Sequence, residues 1–334
     1  MRHALRCWLL LLLVLAVVLA WALTSGSAAI AWAELPRLLL WPDASPEAEV
    51  LQRLRLPRAL AAIATGGLLA LSGALMQVLL RNPLAEPYVL GLSSTAAVGA
   101  LGMMALGFGT LAVNAGAFAG ALFAVVLVFA LARHDLGRID AVSAVDGSPR
   151  LLLTGTMISS LSIALVSLIL TLAPTERLRG MLFWMLGDLS GVGSAGAALA
   201  LLPLLLVALL PFGREMNLLL RGPGPASMLG VPVRRLRALI YVAASLAAAV
   251  TVTTAGSIGF VGLVVPHVLR RLIGNDQRVL LPACALGGGA FLLAADTAAR
   301  SWWAPQQLPV GALTALVGAP LFIALLSRDR GRRA

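Results

Sequence analysis

The sequence predicts an all-α, polytopic membrane protein with ten transmembrane helices. Of its 334 residues, 60% are hydrophobic and only 12% are charged, about half the charged share of an ordinary soluble domain. A soluble globule of this composition could not cover its surface with polar side chains. At about 20 residues per crossing, the hydrophobic residues suffice for roughly ten spans. A secreted, disordered or freely cytosolic protein is therefore excluded.

All 25 basic residues are arginine, and the sequence contains no lysine. A Walker-type phosphate loop and a Schiff-base enzyme each need a lysine. If ATP drives this protein, a separate chain must hydrolyse it. The net charge of +11 is spread between apolar runs, which is typical of topology signals rather than of nucleic-acid binding. Cys7 and Cys284 lie in apolar runs and predict neither a disulfide nor a metal site.

The first predicted span is the uncharged run from Cys7 to Ser27, which follows Arg2 and Arg6. This pattern also resembles a secretory signal peptide, and residues 31–33 (AWA) resemble a cleavage site. The length of the run favours a retained first helix. Residues 27–52 are acidic and are predicted to form a periplasmic loop.

The next four predicted spans cover residues 59–80, 92–108, 112–132 and 151–175. The uncharged stretch 87–132 is too long for one crossing, and Gly107, Gly109 and Asn114 predict a bend within it. Residues 134–150 are polar and charged, which predicts a cytoplasmic loop before the fifth span.

The second half of the chain is more often interrupted. A short amphipathic piece at 178–189 is predicted to lie at the membrane surface. The sixth, seventh, ninth and tenth spans are predicted at 189–213, 238–254, 279–299 and 310–326, with a polar loop at 214–237. Residues 256–262 interrupt helicity before a short helix that carries Pro266 and His267, and residues 328–334 form a basic tail.

The arginine distribution predicts that both termini are cytoplasmic. This orientation places the large majority of the 25 arginines on the cytoplasmic side, as the positive-inside rule requires. The even number of predicted spans agrees with it.

Several separated motifs carry a family resemblance. In chain order they are GLLALSGALMQ at 67–77, RNPLAEP at 81–87, LGLSS at 90–94, GSIGFVGLVVPH at 256–267, AD at 295–296 with Arg300, and LPVG at 308–311 with GAP at 318–320. Together they resemble the FecCD-type permeases, the membrane subunits of type II ABC importers for iron–siderophores, haem or cobalamin. The resemblance runs from about residue 53 to the end of the chain. Each piece alone is weak, because glycine-rich membrane helices are common.

The resemblance implies a single transmembrane permease domain, residues 1–334, with two inverted four-helix repeats. It implies a homodimer in the bacterial inner membrane, assembled with two ATPase subunits and a periplasmic binding protein. ATP and Mg would be bound by the ATPase, so that no cofactor or metal is expected in this chain. The expected function is import of a metal chelate without covalent chemistry.

Two other functions are alternatives to import by an ABC transporter. An ion-coupled secondary transporter of a small organic solute would need several intramembrane carboxylates, and Asp296 alone qualifies in the predicted spans. An intramembrane enzyme would need a His/Asp/Glu cluster or a nucleophile with a base, and the predicted spans offer neither.

The loop 214–237 resembles the family's coupling loop, two short cytoplasmic helices that dock on the ATPase. Its core is matched by Ala226, Ser227, Met228, Leu229, Gly230 and Val231. Docking needs a rigid knob with an apolar face, and a glycine allows a tight turn between short helices. The chain departs from the family at Pro223, where an acidic residue is usual. An ordinary solvated loop is the alternative.

Asn82, Leu84 and, approximately, Ser148 match positions of the family's cytoplasmic gate. Pro83 lacks an amide donor and disfavours helix before it, so the sequence predicts a helix break there. A simple cap and turn is the alternative for these residues.

Arg55, Arg58 and Arg300 match family arginines that receive acidic side chains of the binding protein. The planar arginine fork suits bidentate binding of carboxylates, and anchoring at the membrane interface is the alternative. Asp296 lies four residues before Arg300 on one helix face, which predicts an intramembrane ion pair. Proton coupling at Asp296 is the alternative.

Thr154, Met157 and Ser160 on the fifth span are predicted to line a pathway between two copies of the chain. His267 invites a haem-ligand hypothesis. It belongs to the family's Pro-His motif whatever the substrate, so a structural role is expected.

Overall fold

The computed structural model describes residues 2–26, 30–41, 45–137, 149–191, 195–304 and 306–330. The α-helices of the first half are α1 (Arg2–Thr24), α2 (Leu35–Leu40), α3 (Pro46–Val50), α4 (Leu56–Leu80), α5 (Leu92–Leu106), α6 (Thr110–Gly137) and α7 (Pro149–Leu172). Those of the second half are α8 (Thr175–Met185), α9 (Gly196–Leu209), α10 (Gly213–Leu219), α11 (Pro223–Met228), α12 (Val233–Ala255), α13 (Val261–Ile273), α14 (Gln277–Ser301) and α15 (Val310–Arg330). Shorter turns join some of them: a π-helical turn (Leu51–Arg55) and 3₁₀ turns (Pro87–Leu90 and Leu210–Phe212).

Seven stretches of the described chain are long and apolar enough to cross a membrane. They are Ala4–Thr24, Pro46–Leu80, Thr110–Leu131, Leu151–Leu172, Gly196–Leu219, Val233–Ala255 and Gln277–Ser301. Two apolar helices, Leu92–Leu106 and Val310–Leu325, are shorter, and α13 has only 13 residues. The predicted all-helical membrane architecture is confirmed, and the count of ten crossings stays a prediction.

The predicted loops contain more helix than hydropathy indicates. α2 and α3 lie within the predicted loop 27–52, and α15 reaches Arg330, past the predicted start of the tail. α12 begins at Val233, just after Pro232, so its first turns carry arginines that the sequence places in a loop. Hydropathy marks where side chains become apolar, whereas a helix can extend beyond the hydrocarbon layer. Within 134–150, only the end of α6 and the start of α7 are described.

The sixth predicted span begins too early. It starts at residue 189, but α9 begins at Gly196 and continues through a 3₁₀ turn into α10. The amphipathic piece predicted at 178–189 corresponds to α8, which covers Thr175–Met185.

α4 is the buried centre of the bundle, and its apolar window is 89% buried. It packs against α9, α12, α13 and α14. A Cβ on Gly66 would overlap the carbonyl group of Gly288 in α14, and one on Gly73 would overlap Gly262 in α13. Glycines at these contacts let the helix backbones approach closely, as small residues do in membrane bundles.

α14 joins two distant parts of the molecule. Its 25 residues span about 37 Å at 1.5 Å per residue. It starts beside α10 and ends beside the last turn of α1. We call the first region, α10 and α11 with residues 229–232, the knob. The second region, around Arg55, Arg58 and Arg300, is the arginine end.

α1 lies along α14 in the same direction. The indole Nε1 of Trp8 donates to the carbonyl oxygen of Val279 at 3.1 Å, near the start of α14. The other end of α1 reaches Arg300, near the end of α14. The first helix therefore packs along α14 at both of its ends, although only 17% of its apolar window is buried.

Candidate functional site

Asp296 lies on α14 with 1% of its surface exposed. Its predicted partner Arg300 is at ion-pair distance, with Nε 3.9 Å from Oδ2. The hydrogen-bonded partner is Arg58 on α4, whose Nη2 lies 2.8 Å from Oδ1 and whose Nε lies 3.0 Å from Oδ2. This bidentate contact neutralises the buried carboxylate more directly than the local pair.

Arg55 is buried, with 6% of its surface exposed. Its Nη1 donates to the carbonyl oxygens of Leu23 at 2.7 Å and Thr24 at 3.1 Å. The last carbonyls of a helix lack intrahelical partners, and a cation beside them is favoured by the helix dipole. Arg55 thus caps the C-terminal end of α1.

Arg300 completes this cap from α14. Its Nη1 donates to the carbonyl oxygen of Ser25 at 2.8 Å, and its Nη2 donates to the carbonyl oxygen of Ala22. Only 12% of its side chain is exposed. The two guanidinium groups satisfy consecutive carbonyls at the end of α1 and hold that end against α4 and α14.

The three arginines predicted to meet a binding protein therefore donate to groups of this chain. Arg58 keeps a contact nearer the surface, because its Nη1 also donates to Oε1 of Gln307 at 3.1 Å. Arg53 is far more accessible: 78% of its side chain is exposed, in a pair with Glu49 at 3.2 Å. The role of these arginines in docking stays a prediction.

The knob has the two short helices that the resemblance implies. α11 ends at Met228, and Gly230, two residues later, has a φ of +82°. The amide of Val231 donates to the carbonyl of Ala226 at 3.0 Å, and the amide of Gly230 donates to that of Ser227 at 3.0 Å. This pair of bonds is a Schellman motif, whose left-handed residue is usually glycine and sometimes asparagine. Gly230 therefore fixes the shape of the knob.

The side chains of the knob divide into an inward and an outward set. Ala226 and Val231 are buried, whereas Met228 is 90% exposed and Leu229 is 66% exposed. Ser227, which lies between Ala226 and Met228 in the chain, is also exposed. The knob thus presents adjacent apolar side chains on a rigid turn.

Asn217 attaches the knob to the start of α14. Its Nδ2 donates to Oδ1 of Asp276 at 2.8 Å, and its Oδ1 accepts the amide of Gln277 at 2.9 Å. Arg278 also pairs with Asp276, with Nη2 2.8 Å from Oδ2. The hydrogen bonds from Arg278 and Asn217 lower the pKa of Asp276 to about 2. We call these contacts of Asn217 with Asp276 and Gln277 the joint. The joint links two segments far apart in the chain, which is why the sequence alone did not indicate it.

The predicted gate residues Asn82 and Leu84 are both exposed just beyond α4. The side-chain Oδ1 of Asn82 accepts the amide of Leu84 at 2.9 Å, which forms a tight polar turn around Pro83. Leu84 is 45% exposed. Ser148, the third gate residue, lies outside the described residues.

A partly buried contact holds the helix break before α13. The carboxylate Oε1 of Glu86 accepts the amide of Phe260 at 3.0 Å. Phe260 has a φ of +68°, a conformation that is uncommon outside glycine. Glu86 therefore supports the break that residues 256–262 predict, and the contact spans 174 positions of sequence.

The predicted pathway residues on α7 are at least partly accessible. Met157 is 65% exposed, Ser160 is exposed, and Thr154 is half-buried. α7 packs against α5 and α6 on its other side.

One face of α7 carries an exposed row of hydroxyl groups, which we call the hydroxyl row. Its members are Thr156, Ser160, Ser167 and Thr171. Their spacing of four, seven and four places them on one helix face. Each hydroxyl donates to a backbone carbonyl of the preceding turn. Helical spacing could have identified the row, of which Ser160 was the only predicted member.

His267 is buried in α13, and its ring lies edge-on to Phe322, with centroids 5.5 Å apart. This packing of α13 on α15 fits a structural role.

The profile of the FecCD transport family matches residues 12–328 of the chain. The cobalamin import system permease protein BtuC of Halobacterium salinarum is 43% identical over 284 residues, which is 84% of this chain and 74% of that protein. The vitamin B12 import system permease protein BtuC of Klebsiella pneumoniae is 41% identical over 285 residues, covering 84% of this chain and 83% of that protein.

A solved structure described as an inward-facing conformation of an ABC transporter assigned to the metal-chelate type shares the fold, with a TM-score of 0.80. Its sequence is 30% identical, and the match covers 97% of this chain and 99% of the other.

Proposed function

Because the chain belongs to the FecCD transport family, we propose that it is the permease subunit of an ATP-binding-cassette importer for a metal chelate. The proposed substrate is cobalamin, since the similar permeases from Halobacterium salinarum and Klebsiella pneumoniae carry that function in their names. An iron–siderophore or haem is the next candidate within the same class. The chain itself performs no covalent chemistry.

The knob is the observation that carries this proposal. Met228 and Leu229 are apolar and exposed on a turn that Gly230 and the Schellman hydrogen bonds keep rigid. Adjacent exposed apolar side chains outside the hydrocarbon layer favour a protein partner. We assign this surface, with Ala226, Ser227 and Val231 behind it, to the ATPase subunit.

ATP binding in the partner would bias the permease between two access states. A partner can shift such an equilibrium only by contacting the two states differently. The knob supplies that contact. The hydrogen bond from Asn217 to Asp276 would transmit movement of the knob to α14. Asn82 and Leu84 would close the pathway at the cytoplasmic end, together with Ser148 from the next loop.

A second copy of the chain would complete the pathway. α7 leaves one side uncovered, with Leu161, Leu168 and Leu172 exposed beside the hydroxyl row. In the proposed homodimer the apolar side chains contact the other copy or lipid. The hydroxyl row lines the passage with Thr154 and Met157 nearby. Hydroxyls already bonded to the backbone would give a polar but weakly binding wall.

The arginine end would face the periplasmic binding protein. Arg53, with 78% of its side chain exposed, is readily accessible to acidic side chains there, whereas only 15% of the Arg58 side chain is exposed. Arg55 and Arg300 would contribute mainly by holding α1 in place beneath that surface.

The secondary-transporter alternative receives little support from Asp296. A coupling carboxylate must take up and release a proton, but Asp296 makes a bidentate pair with Arg58 and lies near Arg300. Both oxygens of the carboxylate are thus engaged by Arg58.

The direct test is uptake by the chain reconstituted in liposomes with its ATPase and binding protein. We expect cyanocobalamin uptake that requires ATP and the binding protein, with a ferric siderophore and haem as competing substrates. Transport driven by a proton gradient in the absence of ATPase would instead establish the secondary transporter.

A further inference from the structure

A cavity of about 1350 Å³ opens at the arginine end, beside the proposed pathway. Its walls are the turn between α5 and α6, helix α8 with the residues after it, the end of α12, and residues 306–307. Among the described residues, none that line it lies on α7 or α15. The cavity is therefore distinct from the face assigned to the second copy.

The size of the cavity limits its occupant. Sites for small ligands usually measure about 300–1,000 Å³, so this cavity suits a larger molecule than a simple ion or a small organic solute. A macrocyclic chelate is of the appropriate scale.

The lining combines side-chain amides with aromatic rings. These side chains are Asn114, Gln306, Gln307, Phe108, Phe183 and Trp184. Amide side chains offer both donors and acceptors, which suits a ligand with peripheral amides. Aromatic rings can cover flat apolar surface.

The charged groups of the lining balance one another. Arg177 donates to the backbone carbonyls of Met104 and Ala105 at 3.3 and 2.6 Å. Arg179 lies 5.7 Å from the centre of the Phe183 ring. Asp188 accepts from the amide of Ser190 at 2.8 Å. With Glu176, the lining carries two arginines and two carboxylates, so its formal charge sums to zero and the cavity favours a neutral ligand over a strongly charged one.

We propose that this cavity is a receiving site for a large neutral chelate with an amide-bearing edge, a description that cobalamin fits. The inference rests on the proposed function and adds a binding site on the permease itself. Gln307 connects the site to the surface, because its Oε1 accepts from Arg58. Contact of the binding protein with Arg58 would thus be transmitted to Gln307 in the cavity wall.

Two glycines provide a matched test. Gly109 lines the cavity, and a Cβ there would meet no atom within 4 Å. The variant Gly109→Trp therefore places an indole in the cavity without a backbone clash. A Cβ on Gly102 of α5 also meets nothing within 4 Å, and Gly102 is not among the lining residues. Gly102→Trp is the control for a surface indole.

The measurement is equilibrium dialysis of the full chain in lipid nanodiscs with cyanocobalamin, without the binding protein. We expect saturable binding to the unaltered chain and to Gly102→Trp, and at least tenfold weaker binding to Gly109→Trp. A strongly anionic iron–siderophore complex should compete at least tenfold less well. Equal binding by Gly109→Trp, or no saturable binding by the unaltered chain, would overturn the proposal, and so would a change in oligomeric state caused by Gly109→Trp.

Uptake by the complete importer separates this inference from the proposed function. ATP-driven cyanocobalamin uptake without saturable binding to the permease overturns the receiving site and leaves the importer assignment in place. Absence of cyanocobalamin uptake by the unaltered complex overturns the substrate on which both rest.

Discussion

Arg58 and Asp296 are joined by a bidentate ion pair across two antiparallel helices, although 238 positions separate them in the chain. The pair lies where α4 begins and α14 nears its end. It connects the arginine end to the most buried helix of the bundle. We therefore expect its first role to be structural.

Replacing Asp296 with asparagine should strongly destabilise the fold. Arg58 and Arg300 would then be left near one another without a carboxylate, and breaking a buried ion pair costs about 3–5 kcal/mol. Thermal unfolding in detergent measures the loss. The double variant Arg58→Met with Asp296→Leu removes both charges and should recover much of the stability. An unchanged unfolding temperature in Asp296→Asn would show that the pair contributes little.

Replacing Arg55 with alanine should loosen the end of α1 and leave the affinity for the binding protein nearly unchanged. The guanidinium caps Leu23 and Thr24 and is almost inaccessible. Hydrogen exchange at residues 20–26 reports on α1, and binding in nanodiscs reports on docking. Arg53→Ala is the comparison, because that side chain is exposed. A large loss of affinity for the binding protein in Arg55→Ala, with normal hydrogen exchange in α1, would show that Arg55 belongs to the docking surface.

Replacing Gly230 with valine should uncouple transport from ATP hydrolysis while the protein remains in the membrane. The φ of +82° is strained for a β-branched residue, although its Cβ would have open space. The measurement is the number of substrate molecules carried per ATP. Gly230→Asn is the matched control, since asparagine tolerates the left-handed region better, and it should retain more coupling. Equal ratios in both variants would contradict a role for the turn geometry.

Replacing Asn217 with aspartate should weaken coupling more than replacing it with alanine. An aspartate would face the ionised Asp276 and lose the donor that bonds to it. The pKa of Asp276 is lowered to about 2, so its contribution to stability is present above its ordinary pKa near 3.8 and lost as the pH falls toward 2. Between pH 5 and 8 the joint stays ionised. The expected defect is therefore constant across that range in ATPase stimulation by the binding protein, and a defect that disappears at pH 8 would contradict this account.

Replacing Ser167 with leucine should slow substrate uptake while the dimer still forms. Ser167 is an exposed member of the hydroxyl row, so leucine makes the proposed passage narrower and apolar. Leu168→Met, one position along, is the control, because this exposed side chain lies off the row and the change conserves its size. Uptake and oligomeric state are measured at equal expression. Equal uptake by both variants would place the row toward lipid.

The knob was predictable because its determinants are local. Gly230 follows a short helix, and the buried Ala226 and Val231 that set its turn lie within a few positions of it in the sequence. Gly230 does form a left-handed turn, but the structure places it after α11 and before the long helix α12, whereas the sequence predicts it between the two short helices. Apolar runs likewise indicate the membrane helices, because a crossing needs about 20 apolar residues, although Leu92–Leu106 and α13 are shorter than that.

The partner of Asp296 was not predictable in the same way. The spacing of Asp296 and Arg300 suggests a pair, and the two do lie at ion-pair distance. The shorter contact comes from Arg58, whose position depends on how closely α4 packs against α14. Similarly, the caps on α1 and the joint at Asn217 connect segments far apart in sequence. No periodicity along the chain encodes such contacts.

The contact between Gly66 and Gly288 lies near the middle of α14, with clamps at both ends of that helix. Because α14 is in backbone contact with α4 near its midpoint, it can tilt about that point. With about 18 Å of helix on either side, a tilt of about 5° would move the two ends by about 1.5 Å in opposite directions. A movement of the knob would thus displace the other end of α14, on the opposite side of the membrane, in the opposite direction.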